Sequence, residues 1–334
     1  MDRHCFPRLA LACCLALASL ASLAQDEIYV TNSNSNAVTV YALKANGNAA
    51  PLRTLAGNLT GLSSPSGIAV DLVNDELLVT NKTQPYSVTV YPRTANGNVA
   101  PLRTVVGALT ILSDPRGIAV DTVHSEFVVA NRAGFSLTTF ARTANGNAAP
   151  LRTVEATGGL SNPWGVIVDV ANDEILVANN GNFVSVFART ANGSVAPLRT
   201  ISGSNTGFNT GPLGIAFDAA VGFDDIVVST PFFGAQFQPA LLFFPRTGSG
   251  NISPTRVIGG DPATTQLPSP NGLAAANSLI YVPNSGANSI AVHQSLLTGV
   301  APPIRRIAGA ATLLDNPQFV AVATNLFADG FESP

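Results

Sequence analysis

The chain is built from short apolar runs, each closed by a turn residue. Residues 65–107 contain four of them. Gly67-Ile-Ala-Val-Asp71 is apolar and ends on a carboxylate, and Glu76-Leu-Leu-Val-Thr80 is stopped by Asn81. Ser87-Val-Thr-Val-Tyr91 alternates polar and apolar residues with period two, and Pro101-Leu-Arg-Thr-Val-Val106 ends at Gly107. Runs of this length, rich in Val, Ile and Thr and bounded by Gly, Pro, Asn and Asp, predict four β-strands. Asn96-Gly97 falls between the third and fourth runs. That dipeptide supplies the positive φ angles of a tight hairpin, so these two strands are expected to be antiparallel neighbours joined by an Asn-Gly turn.

The unit repeats. The first run restarts at Gly67, Gly117, Gly165, Gly214 and Gly272, a period of about 50 residues that marks a solenoid, propeller or array. The phrase Asn-Gly-Asn-Ala-Ala-Pro-Leu-Arg-Thr at 46–54 returns almost unchanged at 96–104, 145–153 and 192–200. The N-terminal segment lacks a first strand, because Glu27-Ile-Tyr-Val30 matches the second. The C-terminal segment supplies the missing piece, since Pro317-Gln-Phe-Val-Ala-Val322 aligns with Pro65-Ser-Gly-Ile-Ala-Val70. One strand from the end and three from the start complete a sixth unit and close a ring, which removes unpaired edges. The expected fold is all-β: a six-bladed β-propeller of four-stranded antiparallel blades spanning 25–325, closed by a C-terminal strand joining the N-terminal blade.

Residues 1–24 read as a signal peptide. Arg3 and Arg8 precede an apolar run over 9–23, and Ser22-Leu23-Ala24 offers small residues for cleavage before Gln25. Cys13 and Cys14 lie too deep in the apolar core for a lipoprotein site. All three cysteines (Cys5, Cys13, Cys14) fall in this leader, so the mature chain is cysteine-free, which suits an oxidising compartment. A periplasmic or secreted bacterial protein is expected, with no further membrane span. The formal net charge is −3. Near-neutrality without a basic patch argues against nucleic acid. A monomer is expected, and the tail 326–334, which ends Asp329-Gly-Phe-Glu-Ser-Pro334, reads as a frayed terminus.

Pro-x-Gly-Ile-Ala-Val-Asp, then Val-Thr-Asn or Val-Ala-Asn, then Ser-Val-Thr-Val-Tyr, resembles the NHL-type six-bladed propeller repeat. Ile28-Tyr-Val-Thr-Asn32 is similar to the signature of YVTN propeller repeats. The resemblance implies the fold and leaves the activity open, since such propellers include hydrolases, lyases and pure binding modules.

Most repeated polar residues read as framework. Asp71, Asp121, Asp169 and Asp218 could suggest a metal ring, but a turn Asp accepting backbone amides is the simpler reading. Asn81, Asn131, Asn179 and Asn284 read the same way. Arg53, Arg103, Arg152 and Arg199 fall on the outermost strand, where charge is expected to discourage edge pairing. Ala69, Ala119, Ala216 and Ala274 leave room near the axis.

Function is sought where the repeat varies. The residue between Pro and Gly reads Ser66, Arg116, Trp164, Leu213 and Asn271 around the ring, then Gln318 before Phe319. This position lies at the mouth of the central channel, on the face that also carries Tyr86, Phe135, Phe183, Phe208, Phe232, Phe233 and Phe237. Ser66, Arg116, Trp164, Leu213, Asn271, Gln318, Tyr86 and Phe135 are the expected ligand-binding set, with Arg116 and Trp164 foremost. Aromatic rings beside an Arg and amides suit a glycan, a peptide or a partner protein. Packing of loop against loop is the bland alternative for the Phe residues.

Two enzyme readings follow from resemblance alone. Pro270-Asn-Gly-Leu273 looks like the element that gives six-bladed lactonases and gluconolactonases one calcium ligand, which makes Asn271 a candidate metal ligand. No carboxylate occupies the equivalent place in another blade, although Asp114, Asp261 and Asp315 are near in sequence. Streptogramin-lyase-like propellers would use His with Glu. Here His124 and His293 fall in blades three and six, one in a far-side turn and one in place of Tyr41 and Tyr91, so a shared site is not expected. The sequence favours a binding module needing no cofactor, with a calcium-dependent lactone hydrolase as the alternative.

Overall fold

Six times the four runs fold into one antiparallel sheet, and the innermost strands of neighbouring sheets stand side by side around an axis. The computed structural model describes residues 26–155, 159–218, 223–233 and 238–324. The expected leader, the tail 326–334 and Phe237 lie outside the described residues. In the second blade the strands are Pro65–Asp71, Glu76–Asn81, Ser87–Pro92 and Arg103–Val106, in that order from axis to rim. The first blade closes as the sequence requires. Pro317–Ala323 pairs antiparallel with Glu27–Asn32 and sets Val320 opposite Val30. The fold is an all-β six-bladed propeller.

Strand alternation explains why the sheets stack face to face. Leu77, Val79 and Tyr91 of blade two pack against Tyr29, Val38, Val40 and Leu55 of blade one. Their sequence neighbours Leu78, Val88 and Val90 point the other way, onto Phe127, Val129 and Phe140 of blade three. Period two therefore sends successive side chains to opposite neighbours, and both faces of each blade are buried.

Two expectations need correction. The Asn-Gly pairs do not make tight hairpins between the third and fourth strands. Those strands are antiparallel neighbours, with Val90 opposite Arg103, but the ten-residue connection between them swings across to the preceding blade. The N–H of Gly97 donates to the Thr54 carbonyl at 2.8 Å and the N–H of Ala56 donates to the Gly97 carbonyl at 3.1 Å. Asn96 Oδ1 accepts the Thr54 N–H at 3.2 Å. Gly47, Gly146, Gly193, Gly250 and Gly299 make the same parallel bridge around the ring. Glycine is needed at Gly97 because φ there is +75°. The motif is a clasp between blades, and it occupies the outer edge that a bare strand would leave open.

The outer-strand arginines are likewise not free charges guarding an edge. Arg53 pairs with Glu27 through two N–H···O bonds of 2.7 and 2.8 Å. Arg103 does the same with Glu76 at 2.8 and 2.7 Å, and Arg152–Glu126 and Arg199–Glu174 repeat the pair. Each ties the outer strand to the second strand of its own blade by a bidentate, charge-assisted contact. The turn reading holds for Asp71, Asp121 and Asp169: Asp71 Oδ1 accepts the N–H groups of Val73 and Asn74, both at 3.0 Å, and the other two accept the N–H three residues on; the turn after Asp218 lies outside the described residues.

Asn98 shows how local the clasp is. Its Oδ1 accepts the Leu59 N–H at 2.8 Å, in space that Gly57 leaves by lacking a Cβ. Asn98→Ala is expected to cost about 1 kcal/mol in urea unfolding. Asn98→Ser, the residue at the corresponding Ser194, should recover part of it. No difference between alanine and wild type would show that the clasp contributes nothing.

Candidate functional site

The loops entering each innermost strand and leaving each second strand meet on one face. The repeated glycine of Pro-x-Gly forms a collar there. A Cβ on Gly67 would lie 2.2 Å from the Arg116 carbonyl oxygen, one on Gly117 2.5 Å from that of Trp164, and one on Gly165 2.5 Å from that of Leu213. Each glycine is thus the space that the next blade's backbone fills. Hydroxyls lock three of the six junctions around the collar. Thr80 Oγ1 accepts the Gly67 N–H and donates to the Arg116 carbonyl, both at 2.7 Å. Ser229 links Gly214 to Asn271, and Thr31 links Phe319 to Ser66. Inside the collar lies an apolar shaft of about 350 Å³, lined by Ile68, Ile118, Val166, Ile215, Leu273 and Phe319 among others. Of the four alanines expected near the axis, Ala119, Ala216 and Ala274 also line it, whereas Ala69 packs into the core between blades two and three.

The variable side chains span this mouth. Trp164 Nε1–H donates to Asn271 Oδ1 at 2.9 Å, joining blade four to blade six. Asn271 Nδ2 donates to Gln318 Oε1 at 3.4 Å, which reaches blade one. The Arg116 guanidinium lies 4.3 Å from the centre of the Trp164 ring, a cation–π stack, and Arg132 lies 5.7 Å from it. Asp114 holds both arginines: Arg116 Nη2 donates to its Oδ2 at 3.1 Å and Arg132 Nε at 2.5 Å. Lys82 Nζ reaches Gln318 Oε1 at 3.4 Å.

Four of the eight expected site residues therefore meet in one network: Arg116, Trp164, Asn271 and Gln318. Ser66 sits in the collar with its side chain fully buried. Leu213 contributes its backbone to the collar. Tyr86 lines a separate groove of about 490 Å³ on the rim of blade two, with Gln84, Pro85 and Thr110. Phe135 is 40% exposed in the loop after Arg132, outside the network. Phe208 is a core residue, its ring 5.3 Å from that of Phe244. The side chains of Phe232 and Phe233 lie outside the described residues.

Sequence reasoning missed Lys82 and Arg132. Both follow the Asn that ends a second strand, where other blades carry Ser33, Asn180 and Ser285. That position is a second variable ring at the mouth, and aligning it would have exposed the two cations. Burial, and then the neighbouring Arg116, depress the Lys82 ammonium to about 8. Burial also pulls Arg116 below its ordinary value, against the attraction of Asp114 and with the repulsion of Arg132.

A calcium ion prefers several oxygen donors with lone pairs to spare. Asn271 Oδ1 already accepts the Trp164 N–H, and Asp114 is held between two guanidiniums. Asp261 caps the short helix Pro262–Thr265, and Asp315 accepts from Asn34. This donor set does not suit calcium. His124 bonds Asp121 at 2.7 Å on the far face, whereas His293 is fully buried in blade six, so the two share no site.

No family model matches the chain, and no curated protein matches it in sequence. Among solved structures the chain is similar to one from a crystal structure of a nidogen/laminin complex. The identity is 12%, the TM-score is 0.62, and the match covers 90% of this chain and 98% of that one. That likeness is one of fold.

Proposed function

We propose that this chain is an exported, NHL/YVTN-type repeat propeller that acts as a binding module, holding a glycan, peptide or partner protein at the channel mouth. One observation carries the reading. Arg116, Trp164, Asn271 and Gln318 break the repeat, come from four blades, and converge in one network of hydrogen bonds and a cation–π stack above the collar. Loops on a rigid scaffold are the usual place for recognition. The similar fold from the nidogen/laminin structure comes from an assembly of proteins, which agrees with a binding role for such a scaffold. Export rests on the leader-like residues 1–24 and on a mature chain free of cysteine.

Trp164 is the only tryptophan, so its emission reports on the mouth alone. Titration of the mature protein with a glycan and peptide panel is expected to give a saturable emission change, with none on adding calcium. A saturable change with calcium alone would instead select the metal-dependent lactone hydrolase and justify a lactone screen. Silence to the whole panel, with the fold intact, would move recognition away from the mouth.

A further inference from the structure

The sector of the mouth built by blades two and three carries more positive charge than the carboxylate at its centre neutralises. Lys82, Arg116 and Arg132 surround the network, and Asp114 is the acid bonded to both arginines. Among the described residues Lys82 makes no ion pair; its ammonium reaches the Gln318 amide oxygen at 3.4 Å, and the attraction of Asp114 only partly offsets its burial and the repulsion of the two arginines. Arg116 is buried, with its side chain 9% exposed, and its guanidinium is already stacked on Trp164. Arg132 is 40% exposed and faces solvent from the same cluster. A desolvated ammonium beside two guanidiniums is costly without a further anion, because like charges repel more strongly away from water. Ser66, the ring position between Gln318 and Arg116, has a buried hydroxyl with no partner among the described residues. The amides of Asn271 and Gln318 and the indole of Trp164 border these cations. Planar amides suit the hydroxyls of a sugar.

From this arrangement we propose that the mouth recognises an acidic glycan, whose carboxylate or sulfate is bound between Lys82, Arg116 and Arg132. This rests on the binding-module reading and names its ligand class. Lys82 is the specificity-determining residue, since it is the cation without an ion-pair partner. Its depressed ammonium adds a signature. Lys82 must be protonated to hold the anion, so affinity should fall as the pH rises through about 8.

The test uses the mature protein, Trp164 emission, and three oligosaccharides of equal length: oligogalacturonate, a sulfated glycan and an uncharged one. An acidic glycan is expected to bind about tenfold or more tightly than the neutral one, and to weaken steeply with salt. Stronger binding of the oligogalacturonate would identify carboxylate as the source of charge, and of the sulfated glycan, sulfate. Lys82→Gln should remove about a tenfold factor for the acidic glycan and so erase most of its advantage over the neutral one, whereas Lys82→Arg should retain binding and lose the alkaline fall. Thermal unfolding of both variants checks that they fold. Equal affinity for charged and uncharged glycans, or indifference to Lys82→Gln, would overturn this proposal and leave the binding module standing. Binding of an acidic peptide in place of any glycan would overturn the glycan assignment. Failure of every glycan and peptide would overturn the mouth as a site and this proposal with it.

Discussion

Gly67→Ala is expected to destabilise the propeller by about 3 kcal/mol, near the top of the range for overpacking a filled site. The added methyl would lie 2.2 Å from the Arg116 carbonyl oxygen and 3.0 Å from the Gly117 Cα. Both are backbone atoms of the next innermost strand, so no side chain can turn aside to make room. The Thr80 hydroxyl bridges the same two blades, and pushing them apart would stretch its bonds to Gly67 and Arg116. Gly97→Ala is the control. Nothing lies within 4 Å of its would-be Cβ, so the cost there is the left-handed backbone alone, about 1 kcal/mol. Urea unfolding of the two variants should rank them in that order. Equal losses would show that the collar relaxes freely and that blade spacing is set elsewhere.

His293→Phe is expected to remove most of the sensitivity of stability to mild acid. His293 is fully buried opposite Ile280 in the third strand of blade six. Tyr41, Tyr91, Phe140, Phe187 and Phe244 hold the same place in the other blades. Burial lowers its imidazole from the ordinary 6.5 to about 4, only partly offset by the Thr265 backbone. The folded state thus binds a proton less readily than the unfolded one. The stability tied to this group is complete above pH 6.5 and is lost as the pH falls through the window to about 4. A shift of that size corresponds to about 3 kcal/mol at the acid end. Carboxylates such as Glu27 and Asp169, held low by arginine partners, lose their contribution at lower pH in wild type and variant alike. The difference between the two unfolding curves at pH 7 and pH 4.5 therefore isolates His293. Parallel losses in the two proteins would mean that the ring is protonated in the fold without cost.

These two positions also show how tightly the scaffold constrains the mouth. The collar holds the backbones of Arg116, Trp164 and Asn271 against glycines, so only their side chains can vary without moving a blade. A recognition site can then be changed by substitution at the mouth while the ring keeps its spacing. The charged sector of blades two and three, with Trp164 beside it, replaces the small or neutral residues that other blades carry at the same places.

Blade number, strand order and the closing strand followed from the sequence because they depend on one-dimensional information. Period-two alternation marks a strand, Gly, Pro, Asn and Asp mark its ends, and a fixed period counts the blades. The missing first strand at Glu27 and the spare strand at Pro317 could only be reconciled by closure. Contacts between repeats were not legible in the same way. Asn96-Gly97 has the local form of a hairpin turn, and only the neighbouring blade shows that its amides bond Thr54 and Ala56 instead. Arg103 looks like an edge charge until Glu76, distant in sequence, is seen beside it. At the mouth, the variable ring was readable position by position, but the bond from Trp164 to Asn271 and the cations Lys82 and Arg132 were not. A repeat states what each blade is made of. Which residues of different blades touch is decided by the radius and tilt at which the ring closes, and that belongs to the tertiary structure.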